Sequence, residues 1–181
     1  AEKRGRAHVG RSESRYADLL YDFRASEGLA QYPNANSTMR LTYGNVQPLN
    51  PSDGVHYDSR STIAGYMEKY NPDEYEYRVD DRMRRLIAKR DWGRWGENGT
   101  LYVNFLTDND ITGGNSGSPV LDGRGHLIGL AFDGNRESMA GDVWFHPELA
   151  RTVCVDIRYV MWIIDKYAEA DWLLDEMKFE K

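Results

Sequence analysis

Residues 111–120 read ITGGNSGSPV, and one serine in that stretch, Ser116, decides how the chain is read. A serine hydroxyl is a poor nucleophile at neutral pH. It needs a base within hydrogen-bond reach and donors for the oxyanion it creates. The glycines around Ser116 answer the second need. Gly113 and Gly114 let the backbone turn sharply and approach a ligand closely, and Gly117 leaves room behind the hydroxyl. In that conformation the N–H groups of Gly114 and Ser116 point at one spot, as oxyanion donors do. Glycine and serine also make ordinary turns, so a bare Gly-x-Ser-x-Gly carries little weight. The longer TGGNSGSPV, followed by an Asp-Gly turn and the run LIGLAF, is far more restrictive.

Outward from the serine, the pattern is of strands. LYVNFL (101–106) leads in; 118–121, the tight turn DGRG (122–125) and 126–132 form a hairpin. Upstream, STMRLTYGNV (37–46) alternates like a strand, after a turn at Tyr32-Pro33-Asn34 and before a Pro/Asn/Asp-rich loop at 47–59. Helical periodicity marks 14–25 (Tyr16, Leu19, Leu20 and Phe23 on one face, ended by Gly28), 62–70, and 79–90 (Met83, Leu86, Ile87). It returns at 155–168, with Ile157, Val160, Met161 and Ile164 on one face, and in a short helix at 172–177. Asp156 and Arg158 anchor the start of the former, and Trp92 and Trp95 read as packing residues. The class is mainly β with flanking helices.

The 181 residues suit one domain or a large piece of one, and the net charge of −6 argues against non-specific nucleic-acid binding. A single cysteine, Cys154, excludes an intrachain disulfide and reads as a small buried hydrophobe. No run of about 18 apolar residues predicts a membrane span. No Cys/His cluster, phosphate loop or cofactor motif is present, so neither metal nor cofactor is expected. The opening AEKRGRAHVGRSESRYADLL carries no signal peptide and reads like the interior of a longer protein.

Four histidines are available as a base. His126 opens a hairpin strand and points away from the serine, His146 sits in the loop WFHPEL, and His8 lies near the start. His56, in PSDGVHYDS beside Asp53 and Asp58, is the best internal candidate. Only 115 residues precede Ser116, much of them helical, so the base is expected upstream of this sequence.

Three stretches, YPNANSTMRLTYGNV (32–46), TGGNSGSPVLDGRGHLIGLAFDGN (112–135) and RTVCVDIRYVMWIIDKY (151–167), together resemble the C-terminal quarter of the bacterial dipeptidyl-peptidases called seven and eleven and the related dipeptidyl aminopeptidases. The serine loop is shared with other peptidases; FDGN and VDIRY are the discriminating parts. The resemblance implies the second β-barrel of a chymotrypsin-like, double-β-barrel serine exopeptidase. Residues 1–31 would be the tail of an inserted helical domain and 32–181 the barrel part, with a helical excursion near 62–90 and a C-terminal helix over 155–177.

The same resemblance implies roles. Ser116 would be the nucleophile, Gly114 and Ser116 the oxyanion donors, and Asp133 the partner of the substrate's free α-amino group. Gly134 stands where acidic-specific members carry an arginine, which implies a hydrophobic P1 preference, with Arg136 a possible stand-in if the loop bends. The substrate would be an oligopeptide, the upstream part would supply histidine and aspartate, and the enzyme would be a periplasmic or secreted homodimer. This chain alone is therefore expected to be inactive. A glutamyl-endopeptidase-like protease shares GGNSGSPV but needs no carboxylate for a free amine. A non-catalytic peptide-binding module would not depend on the Ser116 hydroxyl.

Overall fold

In the computed structural model the chain divides into two compact units, Ala1–Met39 and Arg40–Lys181. The structure describes residues 2–29, 38–139, 141 and 145–180, with side chains from residue 12 onward. The turn expected at Tyr32-Pro33-Asn34 and the expected boundary at 31 lie outside the described residues.

The first unit is built on helix α1 (Glu2–Ser26), which begins well before the apolar periodicity does. Gly28 ends it as expected, at φ +67°. The Leu29 N–H donates to Arg24 O (2.9 Å) and the Gly28 N–H to Ala25 O (3.2 Å). This paired closure satisfies the last carbonyls, and only glycine enters it without strain. The stripe of Tyr16, Leu19 and Phe23 is exposed.

The second unit carries a two-stranded hairpin, β1 (Leu49–Ser52) and β2 (Val55–Tyr57), turning at Asp53-Gly54. The 47–59 segment, expected as a loop, is this hairpin; Pro51 hid its strand character. Strand β3 (Arg60–Thr62) follows. Thr62 then caps helix α2 (Ile63–Glu68), and Asp80 caps helix α3 (Asp81–Lys89) by accepting from the Met83 N–H at 3.0 Å. Strands β4 (Tyr102–Thr107), β5 (Pro119–Leu121), β6 (Leu127–Gly134) and β7 (Thr152–Asp156) join β3 in an antiparallel sheet of order β3-β4-β7-β6-β5. The strand expected at 37–46 is not formed over the described residues 38–46; only Val46 bridges, to Thr107. Met39, Leu41 and Tyr43 alternate as a strand would, yet stand exposed.

The last two residues of the central strand β7, Val155 and Asp156, fall inside what the periodicity presents as the start of a helix. Its alternation is strict: Thr152, Cys154 and Asp156 are buried and Val153 and Val155 are partly so. Burial pushes the Cys154 thiol up to about 11, so it is packing rather than a thiolate. Helix α4 (Ile157–Trp162) begins directly after β7, because the Asp156 carboxylate accepts from the Arg158 N–H at 2.9 Å. The helix then loosens into a π turn (Ile163–Tyr167), stops at Ala168, and resumes as α5 (Asp171–Asp175). The C-terminal helical region is thus two pieces, matching the separate periodicities at 155–168 and 172–177.

The main core is a tryptophan-centred cluster of Ile63, Val79, Met83, Trp92, Trp95, Leu101, Met161 and Trp162. Trp92 and Trp162 meet edge to face at 5.7 Å. Each indole N–H finds an acceptor: Trp162 on Asp91 O (3.0 Å), Trp95 on Asp165 Oδ2 (2.7 Å) and Trp92 on Gly99 O (3.2 Å). Rings of this size bury well only when that polar end is satisfied.

At the C-terminal end of β7 Arg158 joins Asp156 (Nη2 to Oδ2, 2.7 Å) to Glu97 (Nη1 to Oε2, 2.5 Å). Hydrogen bonding to Arg158 holds the Glu97 carboxyl below its ordinary value of 4.5. A depressed folded value means the stabilisation is complete above the ordinary glutamate range and is lost as pH falls through the lowered value. Urea unfolding from about pH 7 to about pH 3 should therefore show a falling stability that is flatter in Glu97→Gln.

Candidate active site

The serine loop hangs from β6. The Gly117 N–H donates to Ala131 O (2.7 Å), and the Ala131 N–H donates to Ser118 O (2.9 Å). Inside the loop, Asn115 is the tie. Its N–H donates to Thr112 O (3.1 Å), its Oδ1 accepts from the Thr112 N–H (3.0 Å), and its carbonyl accepts from the Ser118 N–H (2.9 Å). Arg40 also donates to Asn115 Oδ1. Gly114 (φ +97°) and Gly117 (φ +80°) hold the left-handed backbone on either side of this tie, which a side chain would strain. The exposed Ser116 hydroxyl leans on Phe132 O at 3.3 Å. The N–H groups of Gly114 and Ser116 donate to no backbone carbonyl among the described residues.

The partner strand carries a bulge where it meets this loop. Ala131 faces Cys154 and Asp133 faces Val153, so Phe132 is the extra residue. A bulge reverses the alternation beyond it. Ala131 is buried, whereas Asp133, which would otherwise share its face, is exposed. Asp133 thus lies within a strand rather than in the turn its sequence also allows. Asp133 Oδ1 accepts from the Gly134 N–H at 2.8 Å, and no other described residue donates to the carboxylate.

Ser116, Asp133 and Gly134 line one cavity of about 230 Å³. Thr112, Gly113, Phe132, Ser138, Met139, Phe145 and Arg151 are among its other walls. Of the serine-loop glycines, Gly113 lines that wall and Gly114 does not. Arg136 does not line it.

Two supports escaped the sequence reading. Asn135 fixes the end of β6 to β7: its Oδ1 accepts from the Arg151 N–H (2.8 Å), its Nδ2 donates to Leu149 O (2.8 Å), and its N–H donates to Arg151 O (2.9 Å). The buried Arg151 guanidinium donates to Pro48 O (3.0 Å), Pro147 O (3.0 Å) and Ala150 O (2.7 Å). It ties the segment at Pro48 to its own loop at 147–150 through carbonyls alone. The one available signal was an arginine and an asparagine bordering apolar runs, which does not say what they bind.

No histidine among the described side chains lines the cavity. His56 is on β2, with Nδ1 2.7 Å from Asn50 Oδ1 and Nε2 3.2 Å from Asp58 Oδ1, in a separate shallow depression. His126 pairs with Asp122 at 3.2 Å, as its position in the hairpin implies. His146 follows Phe145 but is not itself in the wall, and the side chain of His8 lies outside the described residues. The expectation that His56 is the best internal base is therefore overturned by placement. No described residues form a His/Cys/Asp/Glu group able to hold a metal, and none of the described helices is long and apolar enough to cross a membrane.

Comparison with known proteins places the chain. The pattern of the family described as Peptidase S46 matches residues 1–179. A Dipeptidyl-peptidase 7 of Phocaeicola vulgatus is 53% identical over 146 residues, covering 80% of this chain and 20% of that protein. An Asp/Glu-specific dipeptidyl-peptidase of Capnocytophaga gingivalis is 48% identical over 151 residues, covering 83% and 21%. The crystal structure of Porphyromonas endodontalis DPP11 in complex with the dipeptide Arg-Asp superposes with TM-score 0.74 at 43% identity, covering 76% of this chain and 20% of that one. The chain spans about a fifth of the length of these relatives.

Because both ring nitrogens of His56 are engaged away from the cavity, His56→Ala in the full-length protein should leave the rate of Ser116 labelling by a fluorophosphonate unchanged within about twofold. Labelling rates of the two proteins, measured side by side, check this.

Proposed function

We propose, from the premise that this chain belongs to the peptidase S46 family, that it is the C-terminal part of a serine exopeptidase that releases dipeptides from the N-terminus of oligopeptides. The observation that carries the reading is the single cavity lined by Ser116, Asp133 and Gly134. In this reading the antiparallel sheet is the second barrel of a chymotrypsin-like, double-barrel peptidase. A preceding part of the polypeptide supplies the histidine and aspartate, and the enzyme is a periplasmic or secreted homodimer.

The chemistry follows from the placement. The substrate's charged N-terminus pairs with Asp133, the natural partner of an ammonium group. That anchor sets which carbonyl lies over Ser116, namely the second from the N-terminus. Ser116 Oγ attacks it and gives its proton to the histidine. The oxyanion so formed takes the N–H groups of Gly114 and Ser116. As the carbonyl re-forms, the C–N bond breaks, the leaving amine takes the proton, and a dipeptidyl ester remains on Ser116. Water, deprotonated by the same base, cleaves the ester. Without the base, kcat falls on the order of 10⁶, so this chain alone is inactive.

Gly134 supports an apolar P1 residue, since it places no cation in the pocket. The names of the relatives do not favour that preference, because Dipeptidyl-peptidase 7 and Asp/Glu-specific proteins match at similar identity. The preference therefore rests on Gly134.

In the full-length enzyme, Asp133→Ala removes one charge-assisted contact, worth about 1.5–3 kcal/mol. The expected loss is roughly 10- to 150-fold in kcat/KM on free-amine substrates, with N-acetylated peptides remaining uncleaved. Intact cleavage of N-acetylated peptides, insensitive to Asp133, would instead support a glutamyl-endopeptidase-like protease. Peptide binding that is indifferent to Ser116→Ala, with no turnover, would support a non-catalytic module.

A further inference from the structure

The serine loop has a second anchor, on a segment that forms no strand of its own. Residues 44–47 lie against the end of β4 and the chain that leaves it. The Gln47 N–H donates to Leu106 O (3.1 Å), and Val46 bridges Thr107. The Asn45 N–H donates to Asp108 Oδ1 (2.6 Å), and Asn45 O accepts from the Asp108 N–H (3.0 Å). At Gly44 the two backbones close up, since a Cβ there would stand 2.7 Å from Asn109 N. The pairing is antiparallel. Residues before 44 are therefore led toward the serine loop, where Arg40 Nη2 donates to Asn115 Oδ1. Leu41 and Tyr43 are exposed while Arg40 is half-buried. That register gives up apolar burial, and it brings a guanidinium to Asn115.

Asn115 stands between the two candidate oxyanion donors, the N–H groups of Gly114 and Ser116. Its Oδ1 also accepts from the Thr112 N–H (3.0 Å) and its own N–H donates to Thr112 O (3.1 Å), which closes the turn 112–115. The middle of that turn is Gly113-Gly114, with Gly114 at φ +97°. Glycine takes either sign of φ at little cost. The glycines that let the Gly114 N–H face a substrate therefore also let that peptide turn over, and no backbone carbonyl among the described residues holds the N–H.

We propose that Arg40 is a positioning residue for the reaction: by holding Asn115 Oδ1 from outside the loop, it keeps the 112–115 turn closed and the two N–H groups aimed at one point. The proposal rests on the reading of Ser116 as the nucleophile of a dipeptidyl-peptidase, and it adds to that site a residue 75 positions before Asn115. The oxyanion exists only on the way into and out of the acyl-enzyme. A residue that sets its donors changes those steps and leaves ground-state binding of the peptide, anchored on Asp133, as it was. A guanidinium suits the task. It keeps its charge at every working pH, and its rigid fork makes a stronger bond to the amide oxygen than a neutral donor does.

The test uses the full-length enzyme with Arg40→Ala, Arg40→Lys, Asn115→Ala and the double alanine variant. Arg40→Ala should lower kcat on a free-amine dipeptidyl amide roughly 10- to 150-fold, the worth of one charge-assisted hydrogen bond, with KM unchanged within about twofold. Affinity for a dipeptide boronic acid, whose tetrahedral adduct on Ser116 offers an oxygen to the same donors, should fall by a similar factor. Affinity of intact substrate for the Ser116→Ala protein should not change when Arg40→Ala is added, which also shows that the pocket is folded. Arg40→Lys should recover most of the lost kcat. In the Asn115→Ala background, Arg40→Ala should cost less than about twofold. If Arg40→Ala does not fold, Arg40→Gln carries the same comparisons. A kcat within twofold of wild type, a loss confined to KM, or equal losses in both Asn115 backgrounds would overturn the role of Arg40 while leaving the peptidase reading standing. A wild-type enzyme that releases no dipeptide would overturn both.

Discussion

Two hydrogen bonds at Ala131 hold the candidate site together. Its carbonyl takes the Gly117 N–H and its own N–H reaches Ser118 O, so the serine loop is locked to the one strand that also carries Phe132, Asp133 and Gly134. The nucleophile candidate and the amine-binding candidate are therefore set by the same piece of backbone. The bulge at Phe132 completes the arrangement by turning Asp133 out of the sheet. Strand β7 backs the assembly with its buried residues and, through Arg151, fastens the surrounding loops. Because these ties are backbone and carbonyl contacts, the geometry does not depend on surface charge.

Among the described residues, the candidate site holds a candidate nucleophile and a pocket but no base. Ser116 is exposed and lines the cavity, with donor N–H groups uncommitted to described backbone, and the Asp133 carboxylate lines the same cavity. No described histidine faces it. An acyl-transfer site needs both halves, and the matched part of this chain covers only about a fifth of each relative. The proposed function assigns the second half to the remainder of such a protein.

Much of this was legible in the sequence, for identifiable reasons. TGGNSGSPV, the Asp122–Gly125 turn and the strand after it stand together because their signals are local: left-handed glycines, a turn aspartate and alternation. The capped helices α2 and α3 were readable for the same reason. The central strand β7 was not, since RTVCVD runs without a break into the helical pattern of IRYVMW, and the one-residue boundary at Asp156 has no punctuation. The bulge at Phe132 was equally silent; it depends on register between two strands, which alternation in one strand does not encode. The segment 38–45 shows the reverse case. Its alternation is clear, yet the described residues make no ladder with a neighbouring strand.

The most direct test of the account is to trap the acyl-enzyme. Full-length enzyme would be mixed with an oligopeptide, quenched in acid, digested and read by mass spectrometry. The account predicts an ester on Ser116 whose added mass is that of the first two residues of the substrate. An adduct carrying a longer N-terminal fragment, or one on a residue other than Ser116, would contradict it.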